Sequence, residues 1–164
     1  MMIPILAIDP GLTGTGLVVW DHDTKSIEWM RTIKPVGKSW ESKAREIFDR
    51  TESFIINSVP NMKRIFLEVP QYHGSFGGVT TAASGALVKL SFAAAACYFA
   101  CARLGFVPTL VTPTRWKGQL PKRVIHARIR RKVKNIPFDA TEHSLDALGL
   151  ALYAAEELML SEKL

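Results

Sequence analysis

Three short segments place acidic residues where they could bind a cation. Asp9 follows the apolar run Ile5–Ile8 and precedes a glycine-rich turn. Glu68 ends a second apolar run, and Asp146 follows His143 by three residues. An ionised carboxylate beside an apolar core is costly, and a divalent metal ion is a common reason to accept that cost. The segments therefore predict a metal site assembled from distant parts of the chain.

The chemistry of these side chains favours phosphodiester cleavage. Carboxylate oxygens suit Mg²⁺ or Mn²⁺, and two such ions about 4 Å apart can activate water and stabilise a leaving oxygen. We expect Asp9 to bridge both ions, with Glu68 on one and Asp146 on the other. His143 either completes a metal shell or transfers a proton. The nearby Asp139 and Glu142 match a capping box and are assigned a structural role.

The distribution of charge indicates a polyanionic partner. The net charge is +6, and no Asp or Glu occurs between Val69 and Phe138, a span rich in Lys and Arg. A one-sign block of this length suits a phosphate backbone, although a solvated helix face would look the same. The candidate nucleic-acid contacts are the Lys and Arg side chains of this block, among them Arg115, Lys117, Lys122 and Arg123.

The composition predicts one domain over residues 1–164. The chain has 164 residues, of which 48% are hydrophobic and 22% charged, as in ordinary globular proteins. Cys97 and Cys101 lie one helical turn apart without further zinc ligands, which favours packing as small hydrophobes. The apolar segment Ala86–Ala102 contains Lys89 and is read as a buried helix rather than a membrane span. With no apparent signal peptide, we expect a cytoplasmic protein that does not contact a membrane.

Hydrophobic periodicity predicts a mixed α/β sheet flanked by helices. The first three strands follow one another as an antiparallel meander, and later strands alternate with helices. The predicted strands are 3–9, 14–20, 26–33, 64–69 and 106–111, and the predicted helices are 40–58, 81–104, 113–117, 121–134 and 141–160. If the strands that end at Asp9 and Glu68 are neighbours, their carboxylates lie together, and the last helix can bring His143 and Asp146 to them.

These motifs resemble those of the RuvC family of Holliday junction resolvases, within the ribonuclease-H-like superfamily. The opening motif is Ala7-Ile8-Asp9-Pro10-Gly11 with Thr15-Gly16, the second is Leu67-Glu68, and the third runs from His143 to Ala151. The resemblance covers nearly the whole chain in motif order. It implies a ribonuclease-H-like fold and a homodimer that uses Mg²⁺ or Mn²⁺ to nick two strands of a four-way DNA junction symmetrically.

The resemblance also implies roles for particular residues. The helix 81–104 would form the dimer interface. Lys117 and Lys122 lie where the family has lysines that bind junction DNA, and Arg123 is adjacent. An aromatic residue in the loop after the second acid would engage bases at the crossover, with Tyr72 and Phe76 as candidates. For both aromatic residues, simple packing remains an alternative.

Two segments depart from the family pattern and keep other functions open. Val69–Gly74 differs from the usual run after the second acid, and Gly118–Lys122 is shorter than the usual loop. A divergent phage-type member would fit, as would a nuclease of the same fold acting on other branched or flapped DNA or on RNA–DNA hybrids. An actin-like ATP-binding module is less consistent with the chain length, and an inactive DNA-binding scaffold is less consistent with four intact candidate ligands.

Overall fold

A central sheet organises the computed structural model, which describes residues 4–58, 64–71 and 85–161. The strands are β1 (Pro4–Asp9), β2 (Thr15–Asp21), β3 (Ser26–Ile33), β4 (Arg64–Glu68) and β5 (Thr109–Val111). Their order in the sheet is β3-β2-β1-β4-β5. The pairs β1–β2 and β2–β3 are antiparallel, and β4 pairs in parallel with both β1 and β5. This confirms the predicted mixed sheet with its three antiparallel strands first.

Helices cover both faces of the sheet. They are α1 (Trp40–Ser58), α2 (Ala86–Arg103), α3 (Pro113–Lys117), α4 (Lys122–Lys132) and α5 (Glu142–Ser161). One apolar cluster joins the sheet to α1 and α2, and a second joins it to α4 and α5. The sheet is thus the middle of three layers.

The alternation of β1 decides which layer receives the first acid. Leu6 and Ile8 pack in the α1/α2 cluster, whereas Ile5 and Ala7 pack in the α4/α5 cluster. Because side chains on a strand alternate between faces, Asp9 continues the Ile5 and Ala7 side and faces α5.

Several element boundaries differ from the predictions. Strand β5 spans only Thr109–Val111, because Pro108 has no N–H for the ladder. Helix α2 begins at Ala86, after Gly85 with φ 69°, and the predicted residues 81–84 lie outside the described part of the chain. Gly105 follows α2 with φ 83°, as expected for a glycine that ends a helix.

One side of helix α2 packs in the hydrophobic core, and the opposite side is exposed. Ala93, Cys97 and Cys101 are buried against the sheet, which confirms the predicted packing of both cysteines. By length and composition, α2 alone among the described helices could cross a membrane, with mean hydropathy 1.4 and 28% of its window buried. That test is weak, since core helices also pass it.

Candidate active site

Asp9 and Glu68 lie side by side at one edge of the sheet. The parallel register pairs Ile8 with Leu67, so the two acids are the next residues on neighbouring strands. The Asp9 residue is buried at 7% exposure, and the Glu68 side chain is only 13% exposed. The strand order therefore supplies the adjacency on which the predicted site depended.

The glycine-rich turn lets α5 approach this edge closely. A Cβ atom on Gly16 would lie 2.0 Å from the carbonyl oxygen of His143, and one on Gly14 would lie 2.6 Å from the His143 ring. The Thr15 hydroxyl closes the turn, accepting from the Gly11 N–H at 3.2 Å and donating to the Gly11 carbonyl at 3.1 Å. The glycines thus serve close packing of a helix start.

His143 contacts Asp9 directly from the first turn of α5. Its Nδ1 lies 3.1 Å from Asp9 Oδ2. The other ring nitrogen, Nε2, is 3.4 Å from the Thr13 hydroxyl, and the His143 side chain is 31% exposed. The Nδ1 edge of the imidazole is therefore held by the buried Asp9, while the Nε2 edge lies on the side that is open to solvent.

The start of α5 is capped differently from the prediction. The Ser144 N–H donates to Thr141 Oγ1 at 3.2 Å, and the Thr141 N–H donates to Ser144 Oγ at 2.9 Å. Because α5 begins at Glu142, Thr141 occupies the capping position that the sequence analysis gave to Asp139. The predicted Asp139–Glu142 capping box is therefore wrong.

Asp146 is held by two residues of α4. His126 Nε2 lies 2.7 Å from Asp146 Oδ1, and Lys122 Nζ lies 3.0 Å from Asp146 Oδ2. Lys122 also contacts Glu142 at 3.2 Å. His126 was not a predicted site residue, although its i, i+4 spacing from Lys122 on a helix places both residues on one face.

Glu68 is held by two residues of α3. The Trp116 indole N–H donates to Glu68 Oε2 at 2.5 Å, and Lys117 Nζ is 3.4 Å from the same oxygen. Lys117 also lies over the Trp116 ring, 4.8 Å from its centroid. Trp116 was not a predicted site residue, because a Trp beside basic residues carries no distinguishing spacing.

The acids interact electrostatically across the site. Burial, followed by repulsion from Asp9, raises the pKa of Glu68 to about 7. Burial is also the largest influence on Asp9, whose pKa is raised although the hydrogen bond from His143 opposes the shift. Asp146 adds repulsion to both. These carboxylates are near enough that a shared cation would relieve a real electrostatic cost.

The structure gathers the four candidate residues at one edge but not around one point. Among the described residues, no three His, Cys, Asp or Glu side chains are arranged to hold one metal ion. Each carboxylate instead has its own donor: His143 on Asp9, Lys117 on Glu68, and Lys122 on Asp146. Each acid is thus paired with a basic side chain that is itself partly exposed.

The candidate DNA contacts are dispersed. Lys117 and Lys122 turn into the acidic site, whereas Arg123 is exposed on α4. Arg115 pairs with Glu157 at 3.6 Å, towards the end of α5 and away from the acids. Tyr72 and Phe76 lie outside the described residues.

Comparisons with known proteins agree with this architecture. No protein-family model matches the chain, and no curated protein matches it in sequence. RuvC from Thermus thermophilus, solved in complex with a Holliday junction substrate, superposes with a TM-score of 0.72 at 18% identity. A second structure of T. thermophilus RuvC gives 0.67 at 19% identity, and both matches cover 96% of each chain. The resemblance predicted from the motifs is thus confirmed at the level of the fold, and the chain has the ribonuclease-H-like fold of RuvC.

Proposed function

We propose that this protein is a divalent-metal-dependent endonuclease that resolves four-way DNA junctions by paired, symmetric nicks. The observation that carries the proposal is the meeting of Asp9 and Glu68, on neighbouring strand ends, with His143 and Asp146 from α5. The RuvC fold over nearly the whole chain supports the substrate class, since one of the matched RuvC structures contains a Holliday junction.

The donor chemistry fits Mg²⁺ or Mn²⁺. Three hard carboxylates repel one another within a largely buried site, and two raised pKa values record that cost. Asp9, Glu68 and Asp146 would hold the ions in exchange for their present contacts with N–H donors. When bound, the ions would supply an activated water and stabilise the leaving oxygen.

The geometry of His143 favours a role in proton transfer. A donor at Nδ1 satisfies the buried Asp9 carboxylate at 3.1 Å and leaves Nε2 as the acceptor on the exposed side. Nε2 could then take a proton from water near the scissile phosphate. In the alternative, His143 would bind a metal ion through Nε2 while Nδ1 keeps its contact with Asp9.

The exposed basic side chains of α4, on the α5 side of the sheet, form a basic layer that would bind the DNA backbone. Arg123, Arg130 and Arg131 are exposed on α4, the helix that also holds Asp146 through Lys122. Lys117 and Lys122, once released from the carboxylates, would contact phosphates next to the scissile bond. Arg115 belongs to this surface only if its pairing with Glu157 is broken.

Paired nicking requires two active sites, and α2 offers an interface for a homodimer. Its outer face exposes Val88 (57%), Phe92 (45%) and Phe99 (60%). Apolar residues clustered on one exposed helix face are typical of an interface between copies of a chain. The proposed dimer axis therefore lies on the side of the sheet opposite the basic layer.

A nicking assay tests the proposal. The purified protein is incubated with a mobile four-way junction whose strands are labelled separately, with Mg²⁺, with Mn²⁺, or with EDTA. Matched forks, flaps, linear duplexes and RNA–DNA hybrids serve as alternative substrates, and Asp9→Asn as the matched inactive variant. We expect symmetric nicks on opposing strands of the junction with either metal and none with EDTA.

The assay also separates the alternative functions. Metal-dependent cleavage of forks, flaps or hybrids in preference to the junction would support a nuclease of the same fold with another substrate. Junction binding without cleavage under every condition would support an inactive scaffold. Cleavage by Asp9→Asn at the wild-type rate would contradict the assigned site.

A further inference from the structure

We infer that Trp116 is a positioning residue for Glu68. We also infer that Gly149 on α5 leaves the space that the Trp116 ring occupies. The inference rests on the proposed function, because it concerns a carboxylate of that site. It adds two residues to which neither the motifs nor the resemblance gave a role.

The hydrogen bond from Trp116 is directional and short. The indole N–H donates to Glu68 Oε2 at 2.5 Å, and this donor has no proton to lose at ordinary pH. Unlike Lys117, at 3.4 Å from the same oxygen, a Trp side chain rotates only about two bonds. Trp116 therefore fixes the orientation of the carboxylate, whereas the lysine supplies mainly charge.

Gly149 provides the space that this ring needs. A Cβ atom on Gly149 would lie 2.4 Å from Trp116 Cζ3 and 2.9 Å from Ile129 Cδ1. To admit this Cβ atom, the Trp116 ring and the end of the Ile129 side chain would have to move towards the cavity of about 300 Å³ that both residues line with Gly149. Alanine at this position would therefore push the indole from its place beside Glu68.

The position of Gly149 on α5 links the placement of Asp146 to that of Glu68. It follows Asp146 by three residues on α5, so both lie on the same side of that helix. Helix α5 thus presents one carboxylate directly and orients another, Glu68, through the ring that rests on its backbone. A shift of α5 would move both together.

Outer residues that orient a metal-binding carboxylate commonly contribute about 10- to 100-fold to metal affinity. The test therefore measures Mn²⁺ binding without DNA, by electron paramagnetic resonance of the free ion. The proteins are the wild type, Trp116→Phe, Gly149→Ala and the matched control Trp29→Phe, a half-exposed tryptophan on β3. We expect about 10- to 100-fold weaker Mn²⁺ binding for Trp116→Phe and Gly149→Ala, and no change for Trp29→Phe.

Tryptophan fluorescence of the metal-free protein is the second readout. Glu68→Gln should change the emission in the wild-type background but not in the Trp116→Phe background. If the wild type binds no Mn²⁺, the proposed function fails while the fluorescence still decides the Trp116 contact. If the wild type binds Mn²⁺ and Trp116→Phe binds it equally well, the inference is overturned and the proposed function stands. Should Gly149→Ala not fold, Trp116→Phe decides alone.

Discussion

The two faces of the sheet bury polar groups in opposite ways. On the α5 face, Asp9 and Asp146 are buried as hydrogen-bonded acids. On the α2 face, the buried polar groups of this kind are the thiols of Cys97 and Cys101 and the Thr51 hydroxyl, which lies 3.9 Å from Cys97 Sγ. Burial raises the pKa of Cys97 well above its usual range and that of Cys101 to about 12, so both thiols stay neutral.

The two faces of the sheet also differ in how closely a helix approaches them. Helix α5 needs glycine beneath it, since Gly16 has no space for a Cβ against His143. Helix α2 needs only small side chains such as Ala93 and Ala100. The comparison indicates that both faces bury an apolar core, whereas the acids that could do chemistry lie on the α5 face alone among the described residues. Variants on each face test this difference.

The largest expected effect is on activity at the α5 face. Asp9→Asn should lower junction cleavage by at least about 10²-fold, because a neutral amide binds a divalent cation much more weakly than a carboxylate does. Its melting temperature should not fall, since the substitution removes a charge that is costly to bury. Cleavage rate and thermal unfolding, measured on the same preparation, check both parts. A marked loss of stability with retained cleavage would contradict both the assigned site and the cost given to the buried charge.

The next effect concerns close packing under α5. Gly16→Ala should destabilise the protein by about 3 kcal/mol and reduce cleavage, because the new Cβ must push back the backbone that carries His143. Cys97→Ala, at a fully buried site on the other face, should cost about 1 kcal/mol and leave cleavage intact. Denaturant unfolding and the nicking assay compare the two. Equal losses of cleavage would show that the faces are not separate in function.

A third effect separates the dimer from the site. Phe99→Lys should weaken self-association by about 2 kcal/mol, close to 30-fold, since it places a charge on the exposed apolar face of α2. The control is Trp29→Lys, which charges an exposed aromatic on β3. Sedimentation velocity measures the dimer fraction. A Phe99→Lys protein that associates like the wild type would place the interface elsewhere.

The smallest effect is on pH dependence. The folded-state pKa of Glu68 is raised to about 7, chiefly by burial and then by Asp9, so between roughly pH 4.5 and 7 the folded state binds more protons than the unfolded state. Stability of the metal-free protein should therefore fall as pH rises through that window. Glu68→Gln should flatten this fall. A metal-free protein that gains stability over the same window, and loses that gain in Glu68→Gln, would contradict the shift.

The sequence predicted the fold well because periodicity reports burial directly. The run Ile5–Ile8 is apolar at every position, which is what a strand covered on both faces requires. Strand β5 was predicted too long, because Val107 is apolar yet 83% exposed. Hydrophobicity alone did not reveal that Pro108 keeps this segment out of the ladder.

The site was only partly predictable. The acids stand out because a charge at the end of an apolar run is unusual, and Asp9 and Glu68 needed only neighbouring strands to meet. Their partners did not stand out. Trp116 and His126 reach the acids through the packing of α3 and α4, and the i, i+4 spacing of Lys122 and His126 gives a shared helix face without pointing to Asp146. Likewise, the sequence placed Lys117 on DNA, whereas the structure places it against Glu68.

Anomalous diffraction from crystals grown with Mn²⁺ would locate the ions relative to the acids. We expect at least one manganese peak bonded to Asp9 and to either Glu68 or Asp146, with the corresponding lysine moved off its carboxylate. Full occupancy of Mn²⁺ at other sites, with Lys117 and Lys122 still paired to Glu68 and Asp146, would contradict this expectation.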